Sequence, residues 1–176
     1  VESLSSYFCR LANSHACTTN DLTQLVIDRI SPGRWNTYQA GDGKSRFVWH
    51  ERSISGVGDG ALTWASALSE LTGIVGLDRL TLLPLRVVLA PKALMAHQAR
   101  WCPHCLDEDL RSGRTPYLRL AWDIGVNKVC SEHGVPLVSR CGHCERSNVR
   151  NNASFVIPGW CTACDHFLGC SEQMGP

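Results

Sequence analysis

Apolar positions near the start of the chain recur at helical spacing. Leu4, Tyr7, Phe8, Leu11 and Ala12 fall at the i, i+3, i+4, i+7 interval of one helix face, and Ser3 stands where an N-cap belongs. After a polar run from Asn13 to Asn20, Leu22, Leu25, Val26 and Ile30 predict a second amphipathic helix, which Ser31-Pro32-Gly33 ends. Cys9 and Cys17 lie in this region without metal-ligand spacing and read as small buried hydrophobes. From Pro32 to Gly60 the pattern turns glycine-rich and polar, yet it carries Trp35, Tyr38, Phe47 and Trp49. Aromatics at that density argue for an ordered irregular segment, packed on a neighbour or docking a partner. Trp35 and Trp49 are the partner-binding candidates.

The next pattern predicts a helix-turn-helix. A helix from Ala61 to about Leu71 presents Leu62, Ala65 and Leu68, with Trp64 and Leu71 at its margin, and Asp59 or Gly60 is placed to cap it. Thr72-Gly73 breaks it, and a second short helix from Gly76 or Leu77 stops before Pro84. That second helix is strongly apolar, and its polar positions are only Asp78, Arg79 and Thr81. Arg86, Lys92 and Arg100 follow as a modest basic stretch. Arg79, Thr81, Arg86, Lys92 and Arg100 are therefore the candidate DNA contacts. The alternative is a structural or protein-binding helix followed by a solvated basic face.

Composition narrows the class. The chain of 176 residues suffices for one compact domain or two to three small modules. No apolar run reaches the roughly 20 residues of a membrane helix, and no signal-peptide pattern is visible. The chain opens on Val1 rather than Met, and its last residues form no recognisable ending, as expected of a segment from a longer parent.

The ten cysteines change the picture most. Most fall in close pairs, which suit a metal ion better than a disulfide, and with no secretion signal this points to the reducing cytoplasm and zinc. Four two-ligand knuckles follow one another: Cys102 and Cys105, Cys130 and His133, Cys141 and Cys144, Cys161 and Cys164. Zinc takes four tetrahedral ligands, so eight ligands fit two zinc ions. Sequential pairing puts the first four residues on one ion and the last four on the other. A cross-braced arrangement of the RING type, with a ubiquitin-ligase-like role, stays open at this point. His104 and His143 sit inside knuckles and read as non-ligands, with His166 and Cys170 as irregular substitutes. Seven bound thiolates subtract seven charges and two zinc ions add four, moving the formal +1 to −2. Any nucleic-acid surface is then local.

Both quartets are complete and rich in thiolate, which suits structural zinc rather than a catalytic site with an open position. No motif for a nucleophile, a phosphate loop or a zinc hydrolase is present. Asp107-Glu108-Asp109 reads as the acidic first turn of a helix. No enzyme activity is expected. The metals are expected to replace the core that a short module cannot build.

The order of these parts resembles the TniQ family. "ESLSSYFCRLA" from Glu2 is similar to its N-terminal helix, and "ALSELTGIVGLDRLTLLPL" to its helix-turn-helix stretch. "RWCPHCLDED" with "PYLRLAWDIGVNKVCSEHGVPLVSRCGHC" is similar to its most specific signature, although Ser131 and Gly142 stand where the family usually has proline. The resemblance implies a helix-turn-helix module followed by two zinc fingers. It implies a non-enzymatic adaptor of prokaryotic cytoplasm, linking target DNA to an AAA+ ATPase regulator of the TnsC type. The target is read directly or through a CRISPR effector with its guide RNA. The few residues after the last knuckle favour a short or truncated adaptor over a self-sufficient DNA reader.

The expected architecture is thus a mostly α N-terminal half, residues 1–100, containing the helix-turn-helix. A small α+β C-terminal half follows as two tandem zinc fingers, residues 101–140 and 141–176. The competing function is a zinc-containing helix-turn-helix transcription regulator that binds DNA alone.

Overall fold

The computed structural model describes residues 1–30, 54–87, 95–96, 98–150 and 155–170, apart from the side chains at 27 and 30. The expectations for Ile30, Trp35, Trp49 and Lys92 lie outside the described residues.

Four α-helices are present among the described residues: α1 (Leu4–Ser14), α2 (Thr19–Ile30), α3 (Asp59–Thr72) and α4 (Pro103–Arg111). Local chemistry sets their ends. The Ser3 hydroxyl accepts from the Ser6 N–H and caps α1. Thr18 and Asp21 cap α2 reciprocally. The Asp21 N–H donates to Thr18 Oγ1 at 3.1 Å, and the Thr18 N–H donates to Asp21 Oδ2 at 2.9 Å. Gly58 rather than Asp59 or Gly60 is the N-cap of α3, without a side-chain cap, and Asp59 falls in the first turn. Gly73 ends α3 at φ 72°, a left-handed conformation that suits glycine.

The N-terminal core forms where the first three helices meet. Leu4, Phe8, Cys9 and Ala12 of α1 pack with Leu22 and Val26 of α2 and with Trp64, Ala65 and Leu68 of α3. Phe8 meets Trp64 edge to face, with centroids 5.5 Å apart. The buried residues of α3 are Ala61, Trp64, Ala65, Ala67 and Leu68, so Trp64, Ala65 and Leu68 of the expected face are buried, with Ala61 and Ala67 added to it. Leu62 and Leu71 are 48% and 41% exposed, and Leu25 of α2 is also exposed. Small alanines let the helices approach closely beside Leu68, and Leu62 and Leu71 fall outside the contact.

The expected second helix of the helix-turn-helix is not an α-helix. It is two short 3-10 turns, Leu77–Leu80 and Leu83–Leu85. Thr81 stops the first: its hydroxyl donates to Asp78 O and accepts from the Leu83 N–H. Pro84 sits inside the second turn, near its start, where its missing N–H costs nothing.

The C-terminal half is held by isolated β-bridges and a sulfur-rich core rather than by a sheet among the described residues. It is locked to the helices. The Ser3 N–H donates to Leu118 O, the Leu120 N–H to Val1 O, and the Leu118 N–H to Ser6 Oγ. Val156, from between the last two knuckles, is fully buried in the N-terminal core, and Asn13 donates to its carbonyl.

Candidate metal centre

Three of the four knuckles share one local fold. Cys130 to His133, Cys141 to Cys144 and Cys161 to Cys164 are each flanked by an antiparallel bridge: Val129 with Pro136, Arg140 with Ser147, and Trp160 with Phe167. In each, the residue after the second ligand has positive φ: Gly134 at 65°, Glu145 at 58° and Asp165 at 59°. That turn lets its N–H return to the carbonyl of the first ligand, while the first ligand's N–H reaches two residues beyond the second. The fourth knuckle is different. Cys102 is the N-cap residue of α4, Pro103 occupies the first turn, and Cys105 lies one turn in. Burial raises both thiols, although the Cys105 N–H, in the first turn of the helix, acts to lower that of Cys102.

The knuckles pair sequentially. The donor atoms of Cys102, Cys105, Cys130 and His133 lie within 4.8 Å of one another, as do those of Cys141, Cys144, Cys161 and Cys164. A cross-braced arrangement is therefore not what the fold brings together. Within the first cluster, Cys105 Sγ is 3.5 Å from Cys130 Sγ, and His133 Nδ1 lies 3.8, 3.3 and 3.7 Å from the sulfurs of Cys102, Cys105 and Cys130. In the second, Cys141 Sγ is 3.8 Å from Cys164 Sγ, and Cys144 Sγ is 3.7 Å from Cys161 Sγ. All ten cysteines are free of disulfides. A tetrahedral zinc site has S···S edges of about 3.8 Å and S···N edges of about 3.6 Å, from its usual bond lengths. The donor sets and their separations fit zinc in both clusters.

Electrostatics distinguishes the thiols. Burial, then hydrogen bonding with Glu132 and Cys130, pushes the Cys105 thiol well up. Burial also acts on Cys130, but hydrogen bonds from His133 and neighbouring backbone outweigh it and lower the thiol to about 7. Cys141 is likewise lowered to about 7, with backbone N–H groups of its own knuckle overcoming burial, whereas burial drives Cys161 up to about 12. The second ring nitrogen of His133 faces Glu108 Oε2 at 3.6 Å, where a carboxylate can orient a ligating imidazole.

A family comparison bears on the whole assembly: the TniQ family model matches residues 1–137. The chain belongs to the TniQ family. The match takes in all four helices and the first cluster entire, and it ends before Cys141. No individually curated protein matches the chain. TniQ proteins are transposition-associated adaptors rather than enzymes. Among the described residues, no helix is long and apolar enough to cross a membrane.

The described candidate DNA contacts of this TniQ chain differ in exposure. Arg79 and Arg86 are exposed, and Arg86 pairs with Asp59 at 2.9 Å. Thr81 is 1% exposed and is spent on its own turn. Arg100 is also buried, because its guanidinium donates to the carbonyls of Trp122, Ile124 and Gly125. Neither can reach a groove as placed.

Sequence reasoning missed a set of buried ion pairs. Asp107-Glu108-Asp109 does not open α4; it occupies the second half of the helix. Asp109 falls on the buried face with Cys105 and Leu106 and receives both terminal nitrogens of Arg119, with Arg114 at its edge. Arg150, fully buried, bonds Asp123 Oδ1 at 2.6 Å and the Arg100 carbonyl at 2.6 Å. For Asp109 the available signal was its place three and four residues after Leu106 and Cys105.

His104 and His143 stand outside both clusters, as do His166 and Cys170. His104 stacks at 5.6 Å on His133 and meets Cys170 Sγ at 3.3 Å. His143 and His166 instead form a third group with Cys164.

Proposed function

We propose that this TniQ protein is an adaptor in transposon target selection, held in shape by two structural zinc ions. It would link target DNA, directly or through a CRISPR effector and its guide RNA, to an AAA+ ATPase regulator of the TnsC type. The observation carrying this reading is that one family match spans helices and first cluster, which are locked together by the pairing of Val1 to Ser6 with Leu118 to Leu120. Each cluster supplies four protein donors, enough to close a tetrahedral site, so the metals would serve as cross-links in place of a larger core. In this reading α3 and the 3-10 turn after it are the recognition unit, with Arg79 and the exposed apolar turn at Ile74 and Val75 available to a partner.

The alternative, a transcription regulator reading DNA alone, loses support from the burial of Thr81 and Arg100. Co-sedimentation with ATP-loaded AAA+ filaments tests the two readings. The adaptor should sediment with filaments even where its affinity for free duplex is weak. Tight, sequence-specific and strongly salt-dependent DNA binding without filament binding would overturn the proposal.

A further inference from the structure

The spacing that buries one face of α1 leaves an adjoining side half-covered. Leu4, Phe8, Cys9 and Ala12 lie in the N-terminal core, whereas Tyr7, Arg10, Leu11 and Ser14 follow one another along the next side at three- and four-residue steps. The segment before the last knuckle supplies a second wall. Val156 is fully buried against the helices, and its carbonyl accepts from Asn13 Nδ2 at 2.8 Å. Burial alternates around this anchor, so Phe155 and Ile157 on either side of it stay 50% and 43% exposed. Phe155, Ile157 and Pro158 line a groove of about 470 Å³ together with Tyr7, Arg10 and Leu11. Apolar side chains left open together, rather than scattered singly, mark a contact surface.

The charge in this groove is of one sign. Among the described residues, Arg10 is the one charged side chain that lines it. Arg10 donates through Nη1 to Glu2 Oε2 at 3.0 Å. The two partners are unequally placed. The Glu2 side chain is 16% exposed and also accepts from the Ser6 hydroxyl, while that of Arg10 is 40% exposed. The pair turns its carboxylate inward and its guanidinium outward, and Nε and Nη2 of Arg10 have no hydrogen-bond partner among the described residues. A purely apolar ligand would desolvate those donors without satisfying them. A nucleic acid draws its affinity from several phosphate contacts, and a single cation here supplies one. A polypeptide with an aliphatic or aromatic side chain beside Asp or Glu uses both the walls and the guanidinium.

We propose that the groove between α1 and residues 155–158 is a docking site for an acidic, apolar-anchored segment of a partner protein. The anchor side chain sits among Leu11, Phe155 and Ile157, and a neighbouring carboxylate takes the outward donors of Arg10. The walls come from both halves of the chain, so the groove exists only while the second finger stays docked on the helices.

The test selects short random peptides from a phage-displayed library on the zinc-loaded full chain and measures their affinity by fluorescence anisotropy. The selected peptides should carry an apolar residue next to Asp or Glu. Arg10→Gln should weaken them by at least about tenfold, the effect of one hydrogen bond to a charged group, while Arg10→Lys retains most of the affinity. Ile157→Ser, at an exposed position on the opposite wall, should weaken them comparably without lowering the unfolding midpoint, and it carries the test if Arg10→Gln fails to fold. A selection that returns no peptides, or peptides without acidic residues, overturns the proposal, as does binding indifferent to Ile157→Ser. Oligothymidylate that displaces the peptides and itself loses binding on Ile157→Ser would assign the groove to single-stranded nucleic acid and overturn the proposal. Dimerisation of the chain abolished by the same substitution would assign it to a second copy, with the same result.

Discussion

Asp109 and Arg119 form a buried carboxylate–guanidinium pair that joins α4 to the segment bonded to α1. Arg119 donates through both terminal nitrogens, while its guanidinium carbon lies 4.1 Å from the Tyr117 ring centroid and 5.2 Å from that of Trp122. Its neighbours on either side, Leu118 and Leu120, bond Ser3, Ser6 and Val1. The pair thus fixes the helix that begins the first cluster relative to the N-terminal core. Asp109→Ala leaves a guanidinium buried without its partner, and should destabilise the folded chain by about 3–5 kcal/mol. Chemical denaturation at fixed zinc measures this; a loss below about 1 kcal/mol, the range of an exposed pair, would contradict it.

Arg100 and Arg79 should separate stability from binding. Arg100→Gln removes donors from three backbone carbonyls and should cost about 1–3 kcal/mol by the penalty for unsatisfied buried groups. It should leave the salt dependence of any DNA binding unchanged. If Arg79 meets phosphate, Arg79→Ala should lower that salt slope by about one. Thermal unfolding and salt-titrated binding read the two effects independently.

Gly159 gives a backbone prediction. Its φ is 95°, and an added Cβ would lie 2.8 Å from Pro116 Cβ. Gly159→Ala therefore meets both an unfavourable dihedral and a collision where the last knuckle approaches the first finger's insert. A loss of about 1–3 kcal/mol is expected from strain of this kind. Gly142→Ala, with nothing within 4 Å of the new Cβ, should be tolerated and serves as the control.

Zinc affinity should rise with pH, because a thiol must release its proton before it ligates. Cys130 and Cys141, lowered to about 7, release theirs before metal arrives once the pH exceeds that value. Cys105 and Cys161, both raised, still hold theirs through neutral pH and release them on binding. The plot of log affinity against pH should therefore be steeper below about pH 7 than above it, while keeping a positive slope above. Competition against a chelator of known protonation chemistry measures it; a flat profile above pH 7 would contradict the raised thiols.

The clusters were legible in the sequence because a knuckle is a local object. Two donors three residues apart on a tight turn need no long-range information, and linear pairing needs only short inserts. Helices α1 and α2 were legible from periodicity, and the start of α1 from its Ser3 cap, whereas the Thr18–Asp21 cap of α2 was not read and Leu25 of its expected face is exposed. The centre of the α3 face, Trp64, Ala65 and Leu68, was legible, but its edges were not: Ala61 packs through its small size while the more hydrophobic Leu62 and Leu71 stay exposed. The second helix failed because the Thr81 hydroxyl competes locally for Asp78 O and the Leu83 N–H, which periodicity does not register. The pairs Asp109–Arg119 and Asp123–Arg150 were beyond reach. Their partners are brought together by folding, and a buried arginine looks like a surface one in sequence.

The most direct test counts metal on the intact chain. Native mass spectrometry of protein purified without chelator should show two zinc ions. Cys102→Ser with Cys130→Ser should lose one of them and leave the other, and so should Cys141→Ser with Cys161→Ser. A folded chain carrying no metal, or one in which either double substitution releases both ions while the chain stays folded, would contradict two separate sequentially paired sites.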